Sequence, residues 1–444
     1  MTVAENDIYD VVIVGGGVCG TALLYTLSAY TNVARVALIE KNAEVALVNS
    51  KQTSNSQTLH FGDIETNYSL EKATKVNRAA SMVKRYVLKH DPKQTWHTKY
   101  HKMVLGVGEE EADFLRLRYE DFKGLFPDLS LIKRSEIAEV EPNVVAGRDE
   151  DVALLALSTP DGYAIDYQAL SRSFVDRALV EAGETSIDLK LGMRVRSIEE
   201  AGGHYVLTVD GEQVVAKTVA VTSGAHSLLF AKRLGYGRDY ALLSAAGSFY
   251  FAPASLKGKV YMVQMAKLPF AAIHGDPEVQ DASKTRFGPT AKVLPMLERH
   301  KYGTVLEYFK TAGLSWDAFR SFFNILSDFT VSWYMIMNFI YDIPVIGKLL
   351  FIRKVRKIVP SIRLKDLTFA KGYGGIRPQI VNLKSRQMEL GQAKIEGRNI
   401  LFNITPSPGA STCLKSAEDD VKRLVEFLGS DYWFDQEGFS RDLG

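Results

Sequence analysis

The run Asp10-Val11-Val12-Ile13-Val14-Gly15-Gly16-Gly17-Val18-Cys19-Gly20 constrains this chain more than any other. Its apolar half reads as a buried strand. The strand empties into glycines at 15, 17 and 20, the spacing G-x-G-x-x-G. Gly15 permits the tight turn, Gly17 lets backbone approach a pyrophosphate, and Gly20 lets helix and strand pack closely. Residues 18–30 carry small and apolar side chains at helical spacing. The start of such a helix offers unpaired N–H groups and the positive end of its dipole to phosphates. A second apolar run at 35–39 ends at Glu40, twenty positions after Gly20, where a carboxylate takes ribose hydroxyls. Strand, helix, strand and acid together predict a dinucleotide-binding βαβ unit.

The rest of the composition narrows the class. The 444 residues suffice for one large core or two ordinary ones. A net charge of +2 gives no argument for nucleic acid, and no basic recognition motif is evident. The two cysteines, Cys19 and Cys413, form neither a disulfide framework nor a zinc spacing. That usage suits a reducing cytoplasm and no metal centre. Glu5 and Asp7 precede the first apolar run, so no secretory leader is expected there. The best candidate span, Phe329 to Tyr341, is 13 residues between Asp328 and Asp342, where a bilayer needs about 20.

Along the chain, a polar loop from Asn49 to Tyr68 follows the βαβ unit, rich in residues that favour irregular, ligand-facing backbone. Helices are expected over 69–90, 109–122, 167–182 and 413–428, and strands at 102–107 and 400–402. Residues 189–222 alternate around an Asp210-Gly211 hairpin, then end at Thr222-Ser223-Gly224-Ala225. More strands are expected over 240–275, and aromatic, increasingly basic helices over 291–365. The fold class is α/β (α+β overall), with a discontinuous Rossmann-like domain over 1–80, 160–235 and 368–444. A second domain of antiparallel sheet plus helices would take 81–159 and 236–367.

Several motifs occur together in this order. They are the glycine fingerprint, the loop ending Leu59-His60-Phe61-Gly62-Asp63-Ile64-Glu65-Thr66-Asn67-Tyr68, the Val221-Thr222-Ser223-Gly224-Ala225 return strand, Gly374-Gly375-Ile376-Arg377-Pro378-Gln379, and Ser407 to Thr412 (SPGAST). The chain resembles the FAD-dependent oxidoreductases of the D-amino-acid oxidase type. Within them it is most similar to the malate:quinone oxidoreductases. That family shares a histidine shortly before a Glu-x-Asn-Tyr stretch and the SPGAST segment. Departures exist. The family commonly has GQRVQ where Gly375 to Gln379 reads GIRPQ, a version similar to the L-2-hydroxyglutarate oxidases. The segments 268–274 and Arg286-Phe287-Gly288-Pro289 resemble both groups.

The resemblance implies FAD, a small 2-hydroxy dicarboxylic acid as substrate and membrane quinone as acceptor. (S)-Malate would be oxidised to oxaloacetate, a tricarboxylic acid cycle step. Flavin takes the hydride, so the protein must hold the carboxylates and remove the hydroxyl proton. Arg377 is the candidate for the carboxylate, because a guanidinium fork binds it bidentately. His274 and His60 are the base candidates, since imidazole suits proton removal near neutral pH. His274 is preferred as base and His60 as a second substrate or flavin contact, with the reverse assignment open. Lys102 either binds the second carboxylate or is a solvated lysine at a strand end. Besides Gly15, Gly17, Gly20 and Glu40, the cofactor residues would include Gly224 and Ala225, and Gly409, Ala410 and Ser411 where the last helix opens.

A quinone acceptor implies an enzyme at the membrane. Aromatic residues from Phe322 to Phe351 run into Lys348, Arg353, Lys354, Arg356 and Lys357. They read either as an interfacial segment on an anionic membrane surface or as core helices with a solvated basic face. The first reading places the protein in the cytoplasm, peripheral on the inner face of the cytoplasmic membrane. Three alternatives remain: an L-2-hydroxyglutarate oxidase or dehydrogenase, a non-catalytic flavin-binding membrane-docking protein, and an NAD-dependent dehydrogenase.

Overall fold

The computed structural model describes residues 7–264, 272–279, 281–312, 316–389, 393–405 and 408–444. Strand β1 (Ile8–Val14), helix α1 (Val18–Tyr30) and strand β2 (Arg35–Glu40) form the expected βαβ unit. β1 lies between two parallel neighbours, pairing Val11 with Val36 of β2 and Val14 with Val221 of the strand Glu212–Val221. Its side chains alternate between two cores. Val11 and Ile13 join Leu23, Leu170 and Leu424 on one face, and Val12 and Val14 join Val219 and Leu228 on the other. That double burial explains the unbroken apolar run in the sequence.

The nucleotide-binding sheet runs in the order 393–397, 400–404, 212–221, 8–14, 35–40, 186–191. Strands Val195–Ala201 and His204–Val209 continue from 212–221 as an antiparallel meander. Its hairpins turn at Gly202-Gly203 and Asp210-Gly211, all four residues with positive φ. α1 packs on the helices Tyr167–Val180 and Cys413–Leu428. The helix Leu70–His90 packs on Cys413–Leu428 and Gln436–Leu443, so it belongs whole to the nucleotide unit.

A second eight-stranded sheet contains Tyr250–Pro253, Lys284–Gly288, His274–Pro277, Lys259–Met262, His97–Val107 and Leu154–Ile165 among its strands. A four-stranded sheet joins Tyr240–Ala246 to Ile376–Asn382, pairing Ala245 with Arg377. Two stretches expected in the nucleotide domain therefore pair elsewhere. Residues 160–165 extend the eight-stranded sheet, and 376–389 the four-stranded one. Sequence periodicity shows that a strand exists but not which edge it joins. Helices Val305–Ala312, Trp316–Ser327, Phe329–Ile340 and Ile346–Ile358 complete the insertion.

Candidate active site

The glycine turn closes on itself with almost no spare room. A Cβ at Gly20 would sit 2.0 Å from the Gly15 carbonyl oxygen and 2.6 Å from Thr222 Oγ1. Gly15 has φ +113°, and its N–H donates to the Ile39 carbonyl at 2.9 Å. Gly17 is open instead, with only Ser50 Oγ near its missing side chain, at 3.7 Å. Glu40 accepts from the Gly16 N–H at 2.8 Å and the Asn42 N–H at 2.9 Å, which fixes its carboxylate at the turn. Gly15, Gly17 and Glu40 line a cavity of about 440 Å³. Gly224, Ala225, Gly409, Ala410 and Ser411 line the same cavity, whereas Gly20 serves the packing behind it. Residues 409–411 form the turn preceding the helix Cys413–Leu428, which is not the last as expected, since Gln436–Leu443 follows it. Ser407 and residues 268–271 lie outside the described residues.

The polar loop and Arg377 line this cavity too. His60 Nδ1 lies 2.5 Å from Glu65 Oε1, and the His60 N–H donates to Ser411 Oγ at 2.9 Å. Burial alone would push the Glu65 carboxyl up, but the hydrogen bond and charge of His60, with the charge of Lys102, hold it well below the usual carboxylate range. With Nδ1 engaged, Nε2 is the ring nitrogen left for chemistry. Arg377, second residue of its strand, pairs with no carboxylate among the described residues. Burial lowers its pKa, opposed by the nearby Tyr334 and Tyr261. A partly buried guanidinium without an acid partner is a ready anion site.

Two other expected residues stand elsewhere. Lys102 is fully buried and donates to Asp63 Oδ1 at 2.8 Å, over the Phe61 ring. It is neither a solvated strand-end lysine nor a residue of the cavity wall. Its β-strand faces the core, which the composition of that short segment does not reveal. His274 is also fully buried and absent from the cavity wall. Its Nδ1 faces the Ala272 carbonyl at 3.1 Å, and its ring packs against Tyr261 at 4.6 Å. Burial, then the charge of Lys259, drives its pKa well below the ordinary value. Glu65 opens the Glu-x-Asn-Tyr stretch, and the motif alone assigns it no role. The signal was its spacing from His60, five residues along a loop dense in hydrogen-bonding side chains.

The sequence profile of the FAD dependent oxidoreductase family matches residues 10–404. A malate:quinone oxidoreductase of Helicobacter pylori is 41% identical over 445 residues, covering 98% of each chain. The chain belongs to the malate:quinone oxidoreductase family. Human mitochondrial L-2-hydroxyglutarate dehydrogenase is a more distant relative, 24% identical over 95% of this chain and 90% of its own. Among solved structures, the FAD-bound L-alpha-glycerophosphate oxidase of Mycoplasma pneumoniae has the same fold. It superposes with a TM-score of 0.64 at 18% identity over 94% of each chain. FAD is the cofactor of the family, and the cavity fits it. Its wall carries the glycine turn and Glu40 together with His60 and Arg377, and Gly17 and Gly224 leave backbone bare on it.

The helices between residues 305 and 358 divide the two readings of the aromatic segment residue by residue. Tyr341 and Phe351 are core, with Ile352, Val355 and Ile358 beside them. In the basic stretch, Lys357 pairs with Glu111, and Arg356 donates to the Ile362 carbonyl. Trp316, Phe319, Phe323, Phe329 and Trp333 are instead each more than half exposed. Trp316 stacks on Phe319, and Phe329 on Trp333. Among the described residues, no helix is long and apolar enough to cross a membrane.

Proposed function

We propose that this chain oxidises (S)-malate to oxaloacetate and passes the electrons to a membrane quinone. The observation that carries the chemistry is the joint presence of an acid-free Arg377 and a Glu65-held His60 on the wall of a dinucleotide cavity. Arg377 binds the substrate carboxylate next to the alcohol carbon through its two-pronged fork. His60 takes the hydroxyl proton at Nε2 as the C2 hydrogen leaves with its electron pair. Glu65 stabilises the imidazolium that results, as a carboxylate does for a histidine base. Bound FAD supplies the hydride acceptor at its flavin ring. His274, behind the wall, supports Tyr261 instead of acting as the base.

The exposed aromatic face of helices Trp316–Ser327 and Phe329–Ile340 rests on the membrane interface, where the quinone is found. Anionic lipid attracts Lys348 and Arg353 beside it. This placement is peripheral, on the inner face of the cytoplasmic membrane. Anaerobic bleaching of the bound flavin tests the activity. (S)-Malate should bleach it faster than L-2-hydroxyglutarate, and a reversed order would assign the longer acid. No bleaching by either acid would support the non-catalytic alternative.

A further inference from the structure

Two buried cations outside the cavity converge on the backbone that carries His60. Lys259 and Arg286 are both fully buried, on neighbouring parts of the eight-stranded sheet. Lys259 Nζ donates to the Ser56 carbonyl at 2.9 Å and also to Thr58 Oγ1. Arg286 Nη2 donates to the same Ser56 carbonyl at 3.2 Å, and Nη1 to the Asn55 carbonyl at 3.3 Å. Asn55, Ser56 and Thr58 line the cavity, and His60 follows two residues later. Between them Gln57 holds φ +57°, a left-handed conformation that a non-glycine residue keeps only when its surroundings enforce it. The Tyr167 hydroxyl caps the Thr58 carbonyl at 2.7 Å, so the loop's carbonyls are largely satisfied by the two domains.

The cations are anchored from behind. Asp276 accepts from Arg286 Nη2 at 2.7 Å and lies 3.4 Å from Lys259 Nζ, and Glu278 is 3.8 Å from Arg286 Nε. Lys102 is the register neighbour of Lys259, Tyr261 offers its ring at 5.6 Å, His274 lies in the field of Lys259, and Tyr100 in that of Arg286. We propose that Lys259 and Arg286 are positioning residues for the proposed reaction, clamping the Ser56 carbonyl so that His60 meets the substrate hydroxyl. The proposal rests on the reading of His60 as the base. It makes the clamp sensitive to alkali: burial outweighs Asp276 and brings the Lys259 ammonium down to about 8, so its charge and one donor are lost as pH rises past that value.

The test uses flavin-loaded enzyme, anaerobic mixing with (S)-malate across a pH series, and hydrogen exchange of the peptide spanning residues 55–60. In Lys259→Met the rate of flavin reduction should fall about tenfold or more, with flavin content retained and exchange at 55–60 accelerated. Lys259→Arg, charged at every working pH, should keep the rate and abolish the alkaline decline near 8. If Lys259→Met does not fold, the comparison of wild type with Lys259→Arg decides alone. An identical alkaline limb in those two proteins overturns the proposal, as does unchanged reduction and exchange in Lys259→Met. His60→Asn separates the underlying reading. If it reduces flavin at the wild-type rate, the base assignment is wrong. If it is slow while Lys259→Met is unaffected, only the clamp is wrong.

Discussion

Replacing Glu65 with Gln removes one charge and almost no volume from the candidate site. Glu65 is buried, 9% exposed, and its Oε1 stands 2.5 Å from His60 Nδ1. Proton abstraction turns His60 into a cation, so the carboxylate stabilises the transition state more than the resting ring. A hydrogen bond to a charged group contributes about 1.5–3 kcal/mol, against about 1 kcal/mol for a neutral one. Taking the loss as the difference, about 1.4 kcal/mol at 1.36 kcal/mol per decade, flavin reduction by (S)-malate should slow about tenfold. The amide can still accept at Nδ1–H, so His60 keeps its orientation and malate affinity should change little. Rapid mixing under anaerobic conditions measures the reduction rate directly and its malate dependence separately. A Glu65→Gln enzyme that reduces within about twofold of wild type, with full flavin content, refutes the Glu65–His60 pairing as the catalytic base.

Arg377→Met should lower kcat/KM for malate about a hundredfold, because a charge-assisted bidentate contact of about 3 kcal/mol is lost; steady-state kinetics with an artificial acceptor measure it. Gly20→Ala should yield protein without flavin, since its Cβ would meet the Gly15 carbonyl at 2.0 Å; visible absorbance of the purified protein reports this. Acid stability should depend on Asp91, which caps the N–H groups of Thr95, Trp96 and His97. Burial raises its pKa, but those hydrogen bonds outweigh it and bring it down to about 2 from 3.8. A depressed carboxyl contributes stability above its unfolded value and loses it as pH falls towards 2, here about 2 kcal/mol, so the gap between wild type and Asp91→Asn in urea melts should close in acid. Finally, wild-type protein should sediment with anionic vesicles, and Phe319→Ser with Phe329→Ser and Trp333→Ser should stay in the supernatant without loss of malate-dependent flavin reduction.

The parts of this molecule legible in the sequence are those in which one local rule acts. Glycines 15, 17 and 20 need their places because backbone must turn, face a ligand or touch backbone, and each need is met within a few residues. Helix Cys413–Leu428 and the Asp210-Gly211 hairpin are legible for the same reason. Long-range partnership is what the sequence conceals. Lys102 and Arg377 are both cations in or beside apolar strands, and nothing near them distinguishes their tasks. The structure does so by a single fact, Asp63 within 2.8 Å of Lys102 and, among the described residues, no carboxylate paired with Arg377. His60 and His274 differ by distance: Glu65 reaches one at 2.5 Å, while the other has a backbone carbonyl at Nδ1 and Asp276 only at 3.9 Å from a buried Nε2 that makes no hydrogen bond. A charged side chain in such a core is therefore interpretable only through its counter-charge. Where the protein provides one, or provides backbone carbonyls instead as it does for Arg118, the group is structural or primed; Arg377, on the cavity wall, has neither among the described residues. That contrast is what supports the proposal that Arg377 meets a carboxylate of the substrate, and Arg377→Met is the variant that tests it.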